Sequence, residues 1–136
     1  MLSLNQVLPK LVEESLNELS DEIVQLNKEQ LREGKRSDDT LLPYYSNRTI
    51  NIKQSKGRVI MGRRIALIDT GDFWGSMWAK AENGNLTIFA DDYKTIMLAE
   101  RYGNKIFGLD SENQELLKFR LFEILKPKIN SYLNGM

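Results

Sequence analysis

Apolar residues recur at helical spacing at both ends of the chain, and this limits the fold more than any other feature. Over residues 3–33, Leu4, Leu8, Leu11, Leu19, Ile23 and Leu26 fall along one stripe, with Val7, Val12 and Leu16 beside it. That spacing predicts one long amphipathic helix. Ser3 and Gln6 form a capping-box pattern at its start, and Gly34 is a natural stop. Pro9 lacks an amide hydrogen, so the helix proper starts near Pro9 or kinks there. At the other end, Leu117, Leu121, Leu125 and Ile129 form a second stripe, to which Phe122 and Tyr132 add. Ser111 and Gln114 suit a capping box there, and Pro127 is expected to kink or shorten the helix.

The middle of the chain carries different signals. Residues 34–64 have no clear period and contain Pro43, Gly57 and Gly62, which suggests an extended arm or hairpin with strand-like pieces at Thr49–Ile52 and Arg58–Met61. Ile65–Ile68 reads as a short strand. Asp69 or Thr70 is placed to cap a helical turn over Asp72–Met77. Trp78–Ala81 and Leu86–Ala90 flank a turn centred on Asn83-Gly84, a strong hairpin signal. Asp91 or Asp92 then caps a helix through Tyr102, with Ile96, Leu98 and Ala99 as its apolar side and Gly103 at its end. These elements make a single α+β domain over residues 1–136. Long N- and C-terminal helices (the first over residues 1–33) pack on a small antiparallel β-sheet, with a basic extended arm (residues 34–64) inserted after the first helix and the sheet and closing helices in residues 65–136.

Charge is neutral in sum but not in place. There are 19 basic and 19 acidic residues. In residues 1–33, Lys10, Lys28 and Arg32 stand against seven carboxylates, whereas residues 34–64 carry eight basic side chains against Asp38 and Asp39. A neutral molecule with patches of opposite sign suits head-to-tail contact with its own copies. The chain has no cysteine and no histidine. Thiol chemistry, disulfides, thiolate metal sites and histidine-based acid–base catalysis are therefore excluded. No apolar run approaches the length of a membrane span and no signal-peptide pattern opens the chain, so the expectation is a protein held in a cytosol until it is packaged.

Three groups of residues invite a chemical reading. Asp69-Thr70-Gly71, preceded by Ala66-Leu67-Ile68, matches the triplet of retroviral-type dimeric aspartic proteases, in which paired aspartates share a proton. Asp69 would be the catalytic residue in that alternative. Asp72 would add a third charge beside such a dyad, the similar Val59-Ile60-Met61-Gly62 run comes before the triplet rather than after it, and both chain ends read as helices. The plainer reading is a strand end, a cap and a permissive glycine turning into a helix. The arm offers Lys35, Arg36, Arg48, Lys53, Lys56, Arg58, Arg63 and Arg64, with only Tyr44 and Tyr45 for stacking. That is thin for single-strand nucleic-acid binding. It fits docking onto an acidic neighbour, or weak contact with DNA in a channel. Trp74 and Trp78, four residues apart with Phe73 and Met77 close by, would share a face of a helical turn, as core or as an interface centre. Asp91–Asp92 suits a helix cap better than a cation site. No cofactor or metal is expected.

The blocks of the last hundred residues carry a resemblance. They are Leu42-Pro43-Tyr44-Tyr45-Ser46-Asn47-Arg48-Thr49; Leu67-Ile68-Asp69-Thr70-Gly71-Asp72-Phe73-Trp74-Gly75-Ser76-Met77; a hairpin; a helix ending in Glu100-Arg101-Tyr102-Gly103; and Ile106-Phe107-Gly108-Leu109-Asp110-Ser111 opening the last helix. Their order over residues 40–133 resembles the phage virion morphogenesis (tail completion) family, which includes Mu-like and related siphophage neck proteins. The resemblance implies a non-enzymatic virion protein that forms a ring, commonly hexameric, at the head–tail junction. Its partners would be its own copies and other neck, connector or tail-tube proteins, with no membrane. It would sit in the virion, and in the host cytoplasm during assembly. No catalytic residue comes with the family. The interface candidates are Arg36, Tyr44, Tyr45, Arg48, Lys53, Lys56, Arg58, Arg63, Arg64, Phe73, Trp74 and Trp78, with the arm expected to meet the acidic helix surface of the adjacent copy. A cytosolic adaptor for some other partner is the third reading.

Overall fold

The structure, a computed structural model, describes residues 3–44, 46–57, 65–67 and 71–135; of Asn47, Arg48 and Ile50 it describes the backbone alone. The architecture is α+β, with long helices at both ends flanking a two-stranded antiparallel sheet.

The N-terminal stripe forms two helices rather than one, α1 (Leu4–Glu18) and α2 (Ser20–Arg32). Ser3 opens α1, its backbone N–H donating to Gln6 Oε1 at 2.8 Å. Pro9 lies inside α1, where its missing donor frees only the carbonyl of exposed Asn5. The break comes at Leu19, a buried residue at φ −91° and ψ 6°, whose N–H donates to both Ser15 and Leu16. One turn earlier the Ser15 hydroxyl donates back to the Leu11 carbonyl at 2.7 Å, a bond that bends helices. The bend lets α1 pack on both the sheet and the last helix while α2 follows the sheet.

The hairpin forms as the Asn83-Gly84 signal requires. Strand β1 (Met77–Glu82) pairs with β2 (Asn85–Ala90) in the register Met77 to Ala90 through Glu82 to Asn85. Asn83 and Gly84 take φ of 52° and 82°, the left-handed pair of a type I′ turn. Met77, Ala79 and Ala81 face inward with Ile88 and Ala90, as a period of two dictates. Leu19, Ile23 and Leu31 from the first two helices, Leu42, Ala66, Phe73 and Trp74 close the core over them.

Polar side chains tie the layers together. Asn17 of α1 exchanges two hydrogen bonds with the backbone of Ala81, Nδ2 to the carbonyl at 2.9 Å and the amide to Oδ1 at 2.8 Å. Asn27 of α2 donates to the Ile106 carbonyl at 3.0 Å and accepts from the Gly108 amide at 2.8 Å. Gln30 donates to the Gly108 carbonyl at 2.9 Å and accepts from the Asp110 amide at 2.7 Å. Each carboxamide presents one donor and one acceptor, like an extra peptide group, to the open edge of β1 or to the unpaired stretch Ile106–Asp110.

Residues 34–44 fold back onto the body and most of 46–57 is helical, so the described part of the arm is not extended. Lys35 bridges Leu41, Leu42 is buried, and the Ser37 amide donates to the Lys105 carbonyl at 2.7 Å. The expected strand at Thr49–Ile52 is helical instead. Ser46 caps α3 (Asn47–Ser55), its Oγ accepting from the Thr49 amide at 3.1 Å, and a cap outweighs the β preference of four residues. Arg58–Met61 lies outside the described residues. Ile65, Ala66 and Leu67 are largely buried but form no strand; Leu67 sits at φ 60°, which ends any extended run.

Past that point the expected turn appears as α4 (Asp72–Gly75), entered through Gly71 at φ 89°. The capping role assigned to Asp69 or Thr70 lies outside the described residues. Helix α5 covers Thr95–Tyr102; Asp92 precedes it by a turn, its carbonyl accepting from the Thr95 amide at 3.0 Å and its carboxylate from the Lys94 amide at 3.1 Å. Helix α6 (Ser111–Asn134) is capped by Asp110 rather than by a Ser111–Gln114 box, since Asp110 Oδ1 accepts from the Asn113 amide at 2.9 Å. It runs through Pro127 without shortening.

Candidate interaction surfaces

Helices α3 and α5 enclose an open cleft of about 710 Å³. Arg36, Lys53, Lys94 and Arg101 line it with Tyr44 and Tyr102, and no described lining residue is a carboxylate. Arg36 is held rigidly there: Nε donates to the Tyr102 carbonyl and Nη1 to the Leu41 carbonyl, each at 2.7 Å. The Arg101 guanidinium lies 5.5 Å from the centre of the Tyr102 ring. Beside the cleft, α5 turns large apolar side chains to solvent. Tyr93 is 87% exposed, Ile96 68% and Met97 57%. The sequence places Ile96 with Leu98 and Ala99 on the packed side; the structure packs Leu98 and Ala99 and leaves Ile96 out.

A second surface lies between α2 and α6. Leu26, Leu116 and Phe119 floor an apolar groove of about 440 Å³, and Glu22, Glu29, Glu123 and Arg120 rim it. Arg120 is engaged within the chain, donating to Glu22 at 2.9 and 2.7 Å and to Glu123 at 3.1 Å. Further along the seam, Lys128 donates to Glu18 at 2.8 Å. Phe122, assigned by spacing to the packed stripe, stands 68% exposed, as does Phe119 in the groove. The turn of α6 that buries Leu117, Leu121 and Leu125 directs both phenylalanines outward.

The Arg120 hydrogen bonds, and its charge, hold the Glu22 carboxyl below the ordinary carboxylate range. A group with a depressed native pKa adds stability that is present above its unfolded pKa and is lost as the pH falls through the native one. Arg120→Gln should therefore return the Glu22 titration, followed by carboxyl-carbon NMR, to the ordinary range. The melting temperatures of wild type and variant should converge in acid.

The sequence-derived interface candidates divide. Arg36, Tyr44 and Lys53 meet at the cleft, and Lys56 is exposed at the end of α3. Phe73 and Trp74 are not available to a neighbour, because both are buried in the chain's own core and the Trp74 indole N–H donates to the Ala66 carbonyl at 3.0 Å. Trp78 does not share a helical face with Trp74. It lies on β1, its indole N–H donating to Asp91 at 2.9 Å and its ring 6.3 Å from that of Phe89. Tyr45, Arg58, Arg63, Arg64 and Asp69, and the side chain of Arg48, lie outside the described residues. Spacing did not single out Tyr93, Met97, Leu116 or Phe119. Their one signal in sequence is that α6 carries apolar residues on more sides than one contact needs.

Among the described residues no group of three or more acidic side chains is placed to hold a metal ion, and no helix is long and apolar enough to cross a membrane. What these surfaces offer is binding: one apolar patch beside cations and another rimmed by carboxylates. Comparison of the chain with protein-family models, curated proteins and solved structures finds no match.

Proposed function

We propose that this chain is a structural subunit of a tailed bacteriophage, acting without catalysis at the end of the tail where it meets the head. It works by joining its own copies in a ring, and hexamers are the size the family resemblance implies. The observation that carries the reading is a pair of separate exposed apolar patches, Ile96 and Met97 on α5 with Tyr93 just before it, and Leu116, Phe119 and Phe122 on α6. Contiguous apolar patches on a soluble chain mark contact sites, and two different patches on one chain suit a heterologous contact that closes into a ring. The order of elements agrees with the resemblance: a short helix after Asp69-Thr70-Gly71, a hairpin, a helix ending at Gly103, and Asp110 opening the last helix. Other neck, connector or tail-tube proteins would cover the ring's two faces. The cleft cations suit weak, sequence-independent contact with DNA in its lumen.

Light scattering coupled to size exclusion, across a wide range of protein concentration, tests this. The mass should rise above the 15.7 kDa of one chain as concentration rises. Asp69→Asn should assemble like the wild type. A chain that stays single at every concentration sinks the reading. So does peptide hydrolysis that Asp69→Asn abolishes, which would mark the dimeric aspartic protease instead.

A further inference from the structure

We propose that the groove between α2 and α6 receives α5 of a second copy of this chain, so that each copy offers its α5 to one neighbour and its groove to the other. Such a contact presupposes the self-assembly proposed above and names the two surfaces that make it.

Charge decides which surfaces meet. The groove rim holds Glu22, Glu29 and Glu123 against Arg120, which those glutamates already occupy on two sides. The α5 surface carries Lys94 and Arg101 against Glu100, with Arg36 and Lys53 in the cleft alongside; Asp91 and Asp92, just before Lys94, accept from the Trp78 indole and the Lys94 amide. Groove against groove would set carboxylates on carboxylates, and α5 against α5 would set cations on cations. Like charges brought together at an interface suppress that pairing. Only the mixed pairing opposes unlike charges.

Spacing agrees. Lys94 and Arg101 are seven residues apart, about 10 Å along a helix axis, and so are Glu22 and Glu29 on α2. A helix laid along the groove can place both cations near both carboxylates. Ile96 and Met97, between the cations, then sit over Leu26, Leu116 and Phe119. The two surfaces share no residue, so occupying one leaves the other free. A contact of that kind repeats from copy to copy and closes into a ring or runs on as a filament.

The test uses two full-length variants, each broken on one surface: Ile96→Asp with Met97→Asp, and Phe119→Asp. All three side chains are more than half exposed, so both variants should keep the wild-type far-ultraviolet circular dichroism. Each alone should run as a single chain. Mixed, they should form a species of twice the 15.7 kDa chain mass and nothing larger, because one intact α5 meets one intact groove and the broken surfaces end the chain. Should Phe119→Asp fail to fold, Glu29→Lys paired with a Lys94→Glu, Arg101→Glu variant gives a parallel readout: each alone loses assembly, and the mixture, in which both contacts oppose unlike charges, regains it without stopping at two chains. If the wild type assembles and the α5 variant assembles equally well, or if the mixture stays at one chain mass, the pairing is wrong while self-assembly stands. Loss of assembly in the groove variant alone would mean that the groove pairs with itself. If the wild type never assembles, both the pairing and the self-assembly fail.

Discussion

Asn27→Leu is expected to remove about 3 kcal/mol of stability, although leucine is apolar and similar in size and the site is an interior one. Asn27 is fully buried on α2, and its carboxamide is the partner of both the Ile106 carbonyl and the Gly108 amide. Leucine supplies neither donor nor acceptor. The buried Ile106 carbonyl and the half-buried Gly108 amide then lose their partner, at about 1–3 kcal/mol for a fully desolvated group and less for the other, against which a better-packed apolar side chain returns only part. Urea unfolding followed by circular dichroism measures the difference, at one fixed protein concentration because assembly stabilises the folded state. The control is Asn130→Leu on α6. Asn130 is exposed and lies away from the groove, so its loss should change stability by no more than about 0.5 kcal/mol. Equal effects at the two sites would mean that the buried carboxamides do not hold the layers.

The second large effect separates the two tryptophans. Trp74→Ala should cost about 3–5 kcal/mol, the usual range for emptying a core aromatic site. The indole is buried, its N–H satisfies the Ala66 carbonyl, and the Arg32 guanidinium covers the ring at 5.6 Å from its centre. Trp74→Phe keeps much of the apolar area but orphans that carbonyl, so about 1–2 kcal/mol is expected. Trp78→Ala removes a half-buried ring whose N–H bond goes to exposed Asp91. It should cost clearly less than Trp74→Ala in thermal unfolding. The reverse order would put the centre of packing on the outer face of the hairpin and contradict the core described above.

Some of this was legible in the sequence for simple reasons. Asn83-Gly84 supplies the two left-handed residues that a tight hairpin needs, and the alternation on either side sets its register without tertiary help. Gly103 marks a helix end by local chemistry in the same way, whereas the cap of α6 was read one residue late, at Ser111 instead of Asp110. The break at Leu19 was not legible, because the apolar stripe runs straight through it and only the backbone bonding changes. Helix α3 was hidden because nine residues with two isoleucines make no stripe; only the Ser46 cap announces it. For the candidate surfaces, the charge blocks of residues 1–33 and 34–64 pointed to Glu22, Glu29, Arg36 and Lys53, but not to Lys94 and Arg101, which lie outside both. Periodicity could not tell which apolar residues of α5 and α6 turn outward, since both sides of these helices carry them. Phe122 and Ile96 were misplaced for that reason; Phe73 and Trp74 were left as core or interface, because a short helix can aim its aromatics either way until its neighbours are known, and they are core.

The buried carboxamides also set a schedule. Asn27 and Gln30 reach partners 78 to 83 positions downstream, and Asn17 one 64 positions away. A ribosome therefore releases the first two helices long before anything exists to receive their amides, and those groups stay with water until the stretch around Asp110 emerges. Contacts so distant in the chain make for slow folding. They also make the act of folding nearly all-or-none, since the earliest third of the protein can be finished only by nearly the last.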